Sequence, residues 1–499
     1  MIVATLLLAV QATHVHSVIP LPEIPLSWEF CDVDGDGFLD LLFAVPSADG
    51  GREWRYHRLL PDGSFRATPD NVLTIKKDII AWGVGEFDLE QPGVEIMAQT
   101  RSAAFVLSPR KTSYAGIRKV ASGELFLDLA SSSQLPLWPV IGDLDGDGLD
   151  DIVLATWTGY LVVSADGRQL AEIPLRTDLR RRPSASASIG GVINMTASSQ
   201  PLSDLIIPNR DPGVFDSPPI LFVSESLPMP ILGDANGDGR LDLLYTRAKK
   251  LLVHYNREGG DPLLAPEADF SSGYGEVGEW EVAELQLVDA GGGAAADILL
   301  TRKNDGLIDA EWQHLLFLDA LTKDLPFARP DTLVAIEAAW SSASLCELDG
   351  DGGAPDLAVS SWELKLKQLG MGGVDIRHVV SAYRASPAGG HDERAVIRWE
   401  RDYPTSNFTA FSLVPALSAD LSGDSRVDLL ESDSAGNLEM RALGGTGQSL
   451  RFSRNPDFTI PTNVLASVVQ VKDLNGDGFG DLLLLRKGGV DIYVTRGRQ

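Results

Sequence analysis

Six short stretches of this chain crowd acidic side chains around glycines at fixed spacing, a pattern that can hold a hard cation. The clearest reads Asp32-Val33-Asp34-Gly35-Asp36-Gly37-Phe38-Leu39-Asp40, or Asp-x-Asp-Gly-Asp-Gly-x-x-Asp. Asp at positions 1, 3 and 5 puts three carboxylates on the concave side of a tight turn. Glycine at positions 4 and 6 supplies backbone that a β-carbon would oppose. The carbonyl of residue 7 and the acid at position 9 complete an oxygen cage, here Asp32, Asp34, Asp36, the Phe38 carbonyl and Asp40. Calcium prefers such a cage of six to eight oxygens, whereas magnesium demands a tighter octahedron and keeps its waters. No His or Cys is offered to a softer metal. Without a cation, four carboxylates in nine residues would raise one another's pKa values.

A second complete copy supplies Asp143, Asp145, Asp147, the Leu149 carbonyl and Asp151. Two copies carry asparagine at the third position: Asp234, Asn236, Asp238, Arg240 and Asp242, then Asp473, Asn475, Asp477, Phe479 and Asp481. Two are looser. One offers Glu347, Asp349, Asp351 and Asp356 and is one residue longer; the other offers Asp420, Ser422, Asp424, Arg426 and Asp428. These loops predict about four to six Ca²⁺ sites. An EF-hand is excluded, because it needs Glu at position 12 and the first loop has Phe43 there. Decayed copies starting at Asp88 and Asp289 lack the central acids and are expected to bind no metal.

The eight copies start at 32, 88, 143, 234, 289, 347, 420 and 473, so most are 53–58 residues apart, with wider gaps of 91 and 73. The 91-residue gap leaves room for a ninth, eroded copy ending at Ser203-Asp204-Leu205-Ile206-Ile207. A unit of this length fits a four-stranded propeller blade better than a helical repeat. Each motif lies between short apolar runs, such as Trp138-Pro139-Val140-Ile141 and Ile152-Val153-Leu154-Ala155, which suit buried strands. The expected fold is therefore all-β: a propeller of seven or eight antiparallel blades, eight favoured, with each loop joining a blade's first two strands. The last copy leaves its blade one strand short. Ser17-Val18-Ile19-Pro20-Leu21-Pro22 is expected to add as the outer strand there, which would remove exposed edges.

Composition bounds the partners. A net charge of −28 argues against nucleic acid and anionic lipid. Hydrophobic residues at 44% can bury a large core, and 49 Gly with 29 Pro favour a turn-rich β architecture. Two cysteines exclude a disulfide-dense scaffold. Cys31 and Cys346 precede equivalent loops in distant copies, so buried free thiols are expected. The apolar run Ile2–Val10 followed by Ala12 predicts a signal peptide over 1–12, leaving 13–499 as one propeller domain. No stretch is long enough to span a membrane as a helix. His57, His254, His314, His378 and His391 form no metalloprotease pattern, and no nucleophile elbow or Walker loop occurs. The 10 Trp and 17 Phe could include sugar-stacking platforms, though most are expected in the core.

The recurring loop, followed by runs such as Asp40-Leu41-Leu42, resembles the FG-GAP/VCBS repeats of the integrin α-subunit β-propeller. The resemblance covers nearly all of 13–499, with Ala81-Trp82-Gly83 and Glu29-Phe30 standing in for the Phe-Gly pair. It implies Ca²⁺ on one rim of a ring of blades. The expected function is that of a secreted or cell-surface, monomeric, non-catalytic module that binds an extracellular protein or glycan. A polysaccharide lyase, or a lectin with sugar sites between blades, remains the alternative.

Overall fold

Each blade begins from the same local geometry. The loop glycines take positive φ, +76° at Gly35 and +87° at Gly37, which turns the chain back so that the following residues pair with the preceding strand. The first such strand, Asp40–Pro46, buries six of its seven residues. A run apolar on both faces must be covered on both, which stacking blade against blade achieves. The computed structural model describes residues 14–496 except 124, 126–134, 157–158, 175–191, 198–222, 248–249, 257–266, 270–279, 292, 305, 307–309, 324–326, 349, 351, 367–373, 388, 406–413, 415, 434, 447–448 and 462–467.

The described strands form eight antiparallel blades. Blades 1 to 6 run over 27–75, 81–122, 141–174, 231–269, 281–338 and 340–405. Blade 7 contains Leu429–Ser432, Leu438–Arg441 and Phe458–Ile460, with the Leu417–Leu429 bridge marking its inner edge. Blade 8 is Val468–Lys472, Asp481–Arg486 and Gly489–Thr495, completed by His14–Pro20. That last strand pairs antiparallel with Gly489–Thr495 from His14 opposite Thr495 to Pro20 opposite Gly489. The closing strand thus sits where the sequence places it but starts three residues earlier, matching its seven-residue partner, and ends at the first proline. The suggested ninth copy lies outside the described residues. The described part of its gap holds a separate hairpin, Val192–Ala197 with Val223–Pro228.

Apolar clusters join the blades into a closed ring. Trp54 and Trp82 share a cluster between blades 1 and 2. Met97, Val153 and Tyr245 link blades 2, 3 and 4. Leu244 with Ile298, Leu299 with Leu357, and Ala358 with Leu429 continue through blades 4 to 7. Leu430 with Leu482 joins blades 7 and 8, and Leu483 with Leu41 returns to blade 1. Cys31 and Cys346 are free and buried, as expected, and burial raises both thiol pKa values. No helix among the described residues is long and apolar enough to cross a membrane.

Candidate metal centres and the belt they form

In an antiparallel blade the connections from strand 1 to 2 and from 3 to 4 lie at one end, and those from 2 to 3 and from 4 to the next blade at the other. All the acidic loops therefore gather on one face. Five of them share one hydrogen-bond pattern. The first residue's carboxylate accepts N–H groups from residues 4 and 6: Gly35 and Gly37 on Asp32 at 2.7 and 2.8 Å, Gly146 and Gly148 on Asp143 at 2.7 and 3.0 Å. Asp234, Asp420 and Asp473 repeat it. Residue 5 then accepts the N–H of residue 7, as Asp36 does from Phe38, Asp147 from Leu149, Asp238 from Arg240, Asp424 from Arg426 and Asp477 from Phe479. The carbonyl-bearing residues named from the sequence are thus held by the loop itself.

The ninth acid has a second role that spacing alone did not reveal. In every blade this closing acid, eighth in the Asp88 copy and tenth in the Glu347 copy, is buried and accepts a backbone N–H from the start of its own loop or, in blade 2, from the residue just before it. The pairs are Val33 to Asp40, Phe87 to Glu95, Leu144 to Asp151, Ala235 to Asp242, Ala290 to Asp297, Leu348 to Asp356, Leu421 to Asp428 and Leu474 to Asp481. In five blades its other oxygen takes an N–H from the end of strand 3 or just beyond it, such as Leu59 on Asp40 at 2.8 Å and Thr495 on Asp481 at 2.6 Å. Asp297 keeps both bonds, and Glu95 keeps the one from Phe87, although their loops have lost the central acids. Burial pushes Asp40, Asp151, Asp428 and Asp481 up to about 7 and Asp242 to about 6, despite those hydrogen bonds.

Neighbouring loops are also tied to one another. The eighth residue donates its N–H to the preceding blade's loop: Leu39 to the Leu474 carbonyl (2.7 Å), Val94 to Asp32 (2.9 Å), Asp150 to Glu86 (2.7 Å), Ala296 to Asp234 (3.0 Å), Val427 to Glu347 (2.8 Å) and Gly480 to Asp420 (2.7 Å). In blade 6 that position is Pro355, which has no N–H to give. The approach is close: a β-carbon on Gly93 would lie 2.3 Å from the Val33 carbonyl oxygen. These bonds tie the loops into a belt across six of the eight blade junctions.

The donor set fits a hard cation at two loops most fully. Ligand oxygens of Asp32, Asp34 and Asp36, and of Asp143, Asp145 and Asp151, lie within 4.8 Å of one another. One oxygen each of Asp34 and Asp151 is buried without a hydrogen-bond partner, a lone pair that a cation would satisfy. These same loops carry a compensation that spacing did not reveal. Arg58, just past strand 3, lies 2.6 Å from Asp34 and 2.7 Å from Asp36, and Arg168 lies 2.6 Å from Asp145. Where asparagine replaces the acid at the third position, its amide donates within the loop, Asn236 to Asp238 at 3.2 Å and Asn475 to Asp477 at 3.0 Å. Ser422 donates its N–H to Asp420. In blade 6, Glu347 accepts the Gly350 N–H at 3.0 Å, while Asp349 and Asp351 lie outside the described residues.

Three buried histidines are packing groups. Burial lowers His57, His314 and His378 to about 4, so all three are neutral imidazoles. His314 bridges Thr301 and Ser341, and His378 stacks on Trp362 with ring centroids 4.1 Å apart.

No family model matches this chain, and no curated protein does. Among solved structures it is similar to the V. cholerae biofilm matrix protein Bap1, at 13% identity and TM-score 0.29, covering 84% of this chain and 59% of that one. It is also similar to an Agrocybe aegerita lectin that recognises non-reducing terminal N-acetylglucosamine, at 14% identity and TM-score 0.33, covering 82% and 86%. A third likeness is to the Photorhabdus luminescens Tc holotoxin pore, at 13% identity and TM-score 0.25, covering 95% and 27%. The chain thus spans 59% and 27% of the first and third of these structures. The fold assignment rests on this chain's own strand pairing.

Proposed function

We propose that this chain is a secreted, calcium-stabilised propeller of the FG-GAP/VCBS type that binds an extracellular protein or glycan without transforming it. The observation that carries this reading is the division of labour between the two faces. The acidic loops spend their polar groups on one another and, in this reading, on Ca²⁺. The opposite face carries the departures from the repeat: the hairpin of Val192–Ala197 with Val223–Pro228 inserted between blades 3 and 4, and blade 6 strands of 11, 10 and 9 residues. Long connections on a rigid ring are the usual place for recognition. The neutral, buried histidines support a binding role over acid–base chemistry. The test is to present the calcium-loaded full chain to arrays of glycans and extracellular proteins, with and without chelator. Calcium-dependent retention of a partner is expected. Retention of nothing overturns the reading, and unsaturated products from pectin fragments would replace it with a lyase.

A further inference from the structure

The interface between blades 6 and 7 is built unlike the others. Two residues after the ninth acid, every other blade places a large apolar side chain facing its neighbour: Leu42, Met97, Val153, Leu244, Leu299, Leu430 and Leu483. Blade 6 has Ala358 there. Around it the sheet stays small and polar. Strand pairing sets Ser344 beside Ala358, Ser342 beside Ser360, and Trp340 beside Trp362, so all six share one face of the sheet. From blade 7 come Ala416, Leu417 and Ser418. The missing volume is a cavity of about 410 Å³, within the range of small-ligand sites.

Its two ends differ. On the outer side, where strand 4 of blade 6 meets blade 7, Glu431 is fully buried and accepts from Arg401 (2.6 Å), Arg441 (2.7 Å) and Trp399 (3.0 Å). Glu439 accepts from the same two arginines at 2.7 and 2.8 Å. Every charge in this network is paired within it, and none lines the cavity. On the inner side Trp340 opens strand 1 and is 40% exposed. As the first residue of that strand, it lies at the face opposite the acidic loops.

An exposed indole at the mouth, a second indole behind it and a wall of serine hydroxyls match one chemistry. A sugar ring offers an apolar face of C–H groups to stack on indole and a rim of hydroxyls for serine. Among the described lining residues none is charged, which disfavours phosphorylated, sulfated or uronic acid ligands, whose charge would be desolvated without a partner. We infer that the cavity between blades 6 and 7 binds a neutral saccharide, one or two rings in size, stacked on Trp340 and entering from the face opposite the acidic loops. This deepens the reading of the ring as a binding module and rests on it. The uniqueness of Ala358 implies one such site per chain.

The experiment uses the calcium-loaded full chain and a panel of neutral hexoses, N-acetylhexosamines and their disaccharides, read by calorimetry and tryptophan fluorescence. Two variants accompany it. Trp340→Ala removes the platform, and Ala358→Leu fills the cavity with the side chain that five other blades carry at this position. Each is expected to weaken saccharide binding at least tenfold, with one equivalent bound to the parent chain and the melting temperature of Ala358→Leu unchanged or raised. Saccharide binding that persists in both variants overturns this site while leaving a binding module. No saccharide bound by the parent chain overturns the inference, and the protein arm of the array then decides whether the module reading stands. Binding of uronates in preference to neutral sugars overturns the assigned chemistry.

Discussion

The two faces of the ring solve opposite problems with the same strands. On one face, five loops share one hydrogen-bonded design, a clamp from the closing acid recurs in all eight blades, and bonds from loop to loop join six neighbouring pairs. On the other face the blades diverge, through the inserted hairpin of Val192–Ala197 with Val223–Pro228, the extended strands of blade 6 and the exposed Trp340. Repetition marks what holds the ring together, and departure from repetition marks what distinguishes this ring from others.

The largest effect that could break this comparison is removal of the cation. A ligand that binds only the folded state stabilises by about 4 kcal/mol per site at a thousandfold excess over Kd, and several loops add. Exhaustive chelation is expected to lower the melting temperature by more than 10 °C, read by calorimetry. The effect should also depend on pH. Asp40, Asp151, Asp428 and Asp481 rise to about 7 in the folded chain from an ordinary 3.8. The metal-free fold therefore binds more protons than the unfolded chain above pH 3.8, and loses stability as pH rises through 7. The buried histidines work the other way only below their unfolded value of 6.5. Between pH 6.5 and 8 the chelated protein should thus lose stability, while the calcium-loaded protein, its carboxylates held charged by the ion, should stay level. A chelated protein that melts at the same temperature, or gains stability across that window, would mean that the belt is a hydrogen-bonded structure needing no metal.

A smaller effect sharpens what closes the ring. His14–Pro20 covers the edge of Gly489–Thr495 and contributes Ile19, fully buried between blades 8 and 1. Ile19→Ala should cost about 2–5 kcal/mol, measured by urea unfolding. Deleting 14–20 should cost more and leave an unpaired strand edge, which invites self-association detectable by analytical ultracentrifugation. A deletion that is monomeric and thermally neutral would show that the ring closes through its apolar interfaces alone.

How much of this was readable in advance follows from the range of each interaction. The loops and the eight repeats are local or periodic, so residue types at fixed spacing carried them, and counting strands and copies against a closed ring carried the closing strand and the free thiols. The clamp role of Asp40 and its equivalents was hidden because an acid that ligates and an acid that accepts N–H groups look alike in sequence. Arg58 and Arg168 were missed because they lie 22 and 23 residues beyond the acids they pair with. Their shared place after strand 3 was the available signal. The cavity depends on which side chains face one another across two blades, and only aligning the second residue after each ninth acid would have exposed Ala358.

The smallest expected effect tests whether the belt's regularity is itself stabilising. At the sixth loop position glycine appears at Gly37, Gly148, Gly239, Gly352 and Gly478, all with positive φ. Blade 7 instead has Ser425 at φ +69°, which with Asp319 is one of two such non-glycine residues among those described. Its N–H still reaches Asp420, at 2.6 Å, so the loop accepts the left-handed conformation in order to keep the shared hydrogen bond. Holding a side chain there costs about 1 kcal/mol or slightly more, offset in part by the greater freedom glycine has when unfolded. Ser425→Gly should therefore stabilise the protein by about 0.5–1 kcal/mol, and its Asp420 loop should gain calcium affinity because residues 4 to 7 are then held without strain. Gly37→Ser in the first loop should lose about the same amount. If both substitutions move stability in the same direction, φ at this position is not what the loops have in common, and the hydrogen bonds to the first carboxylate alone set their shape.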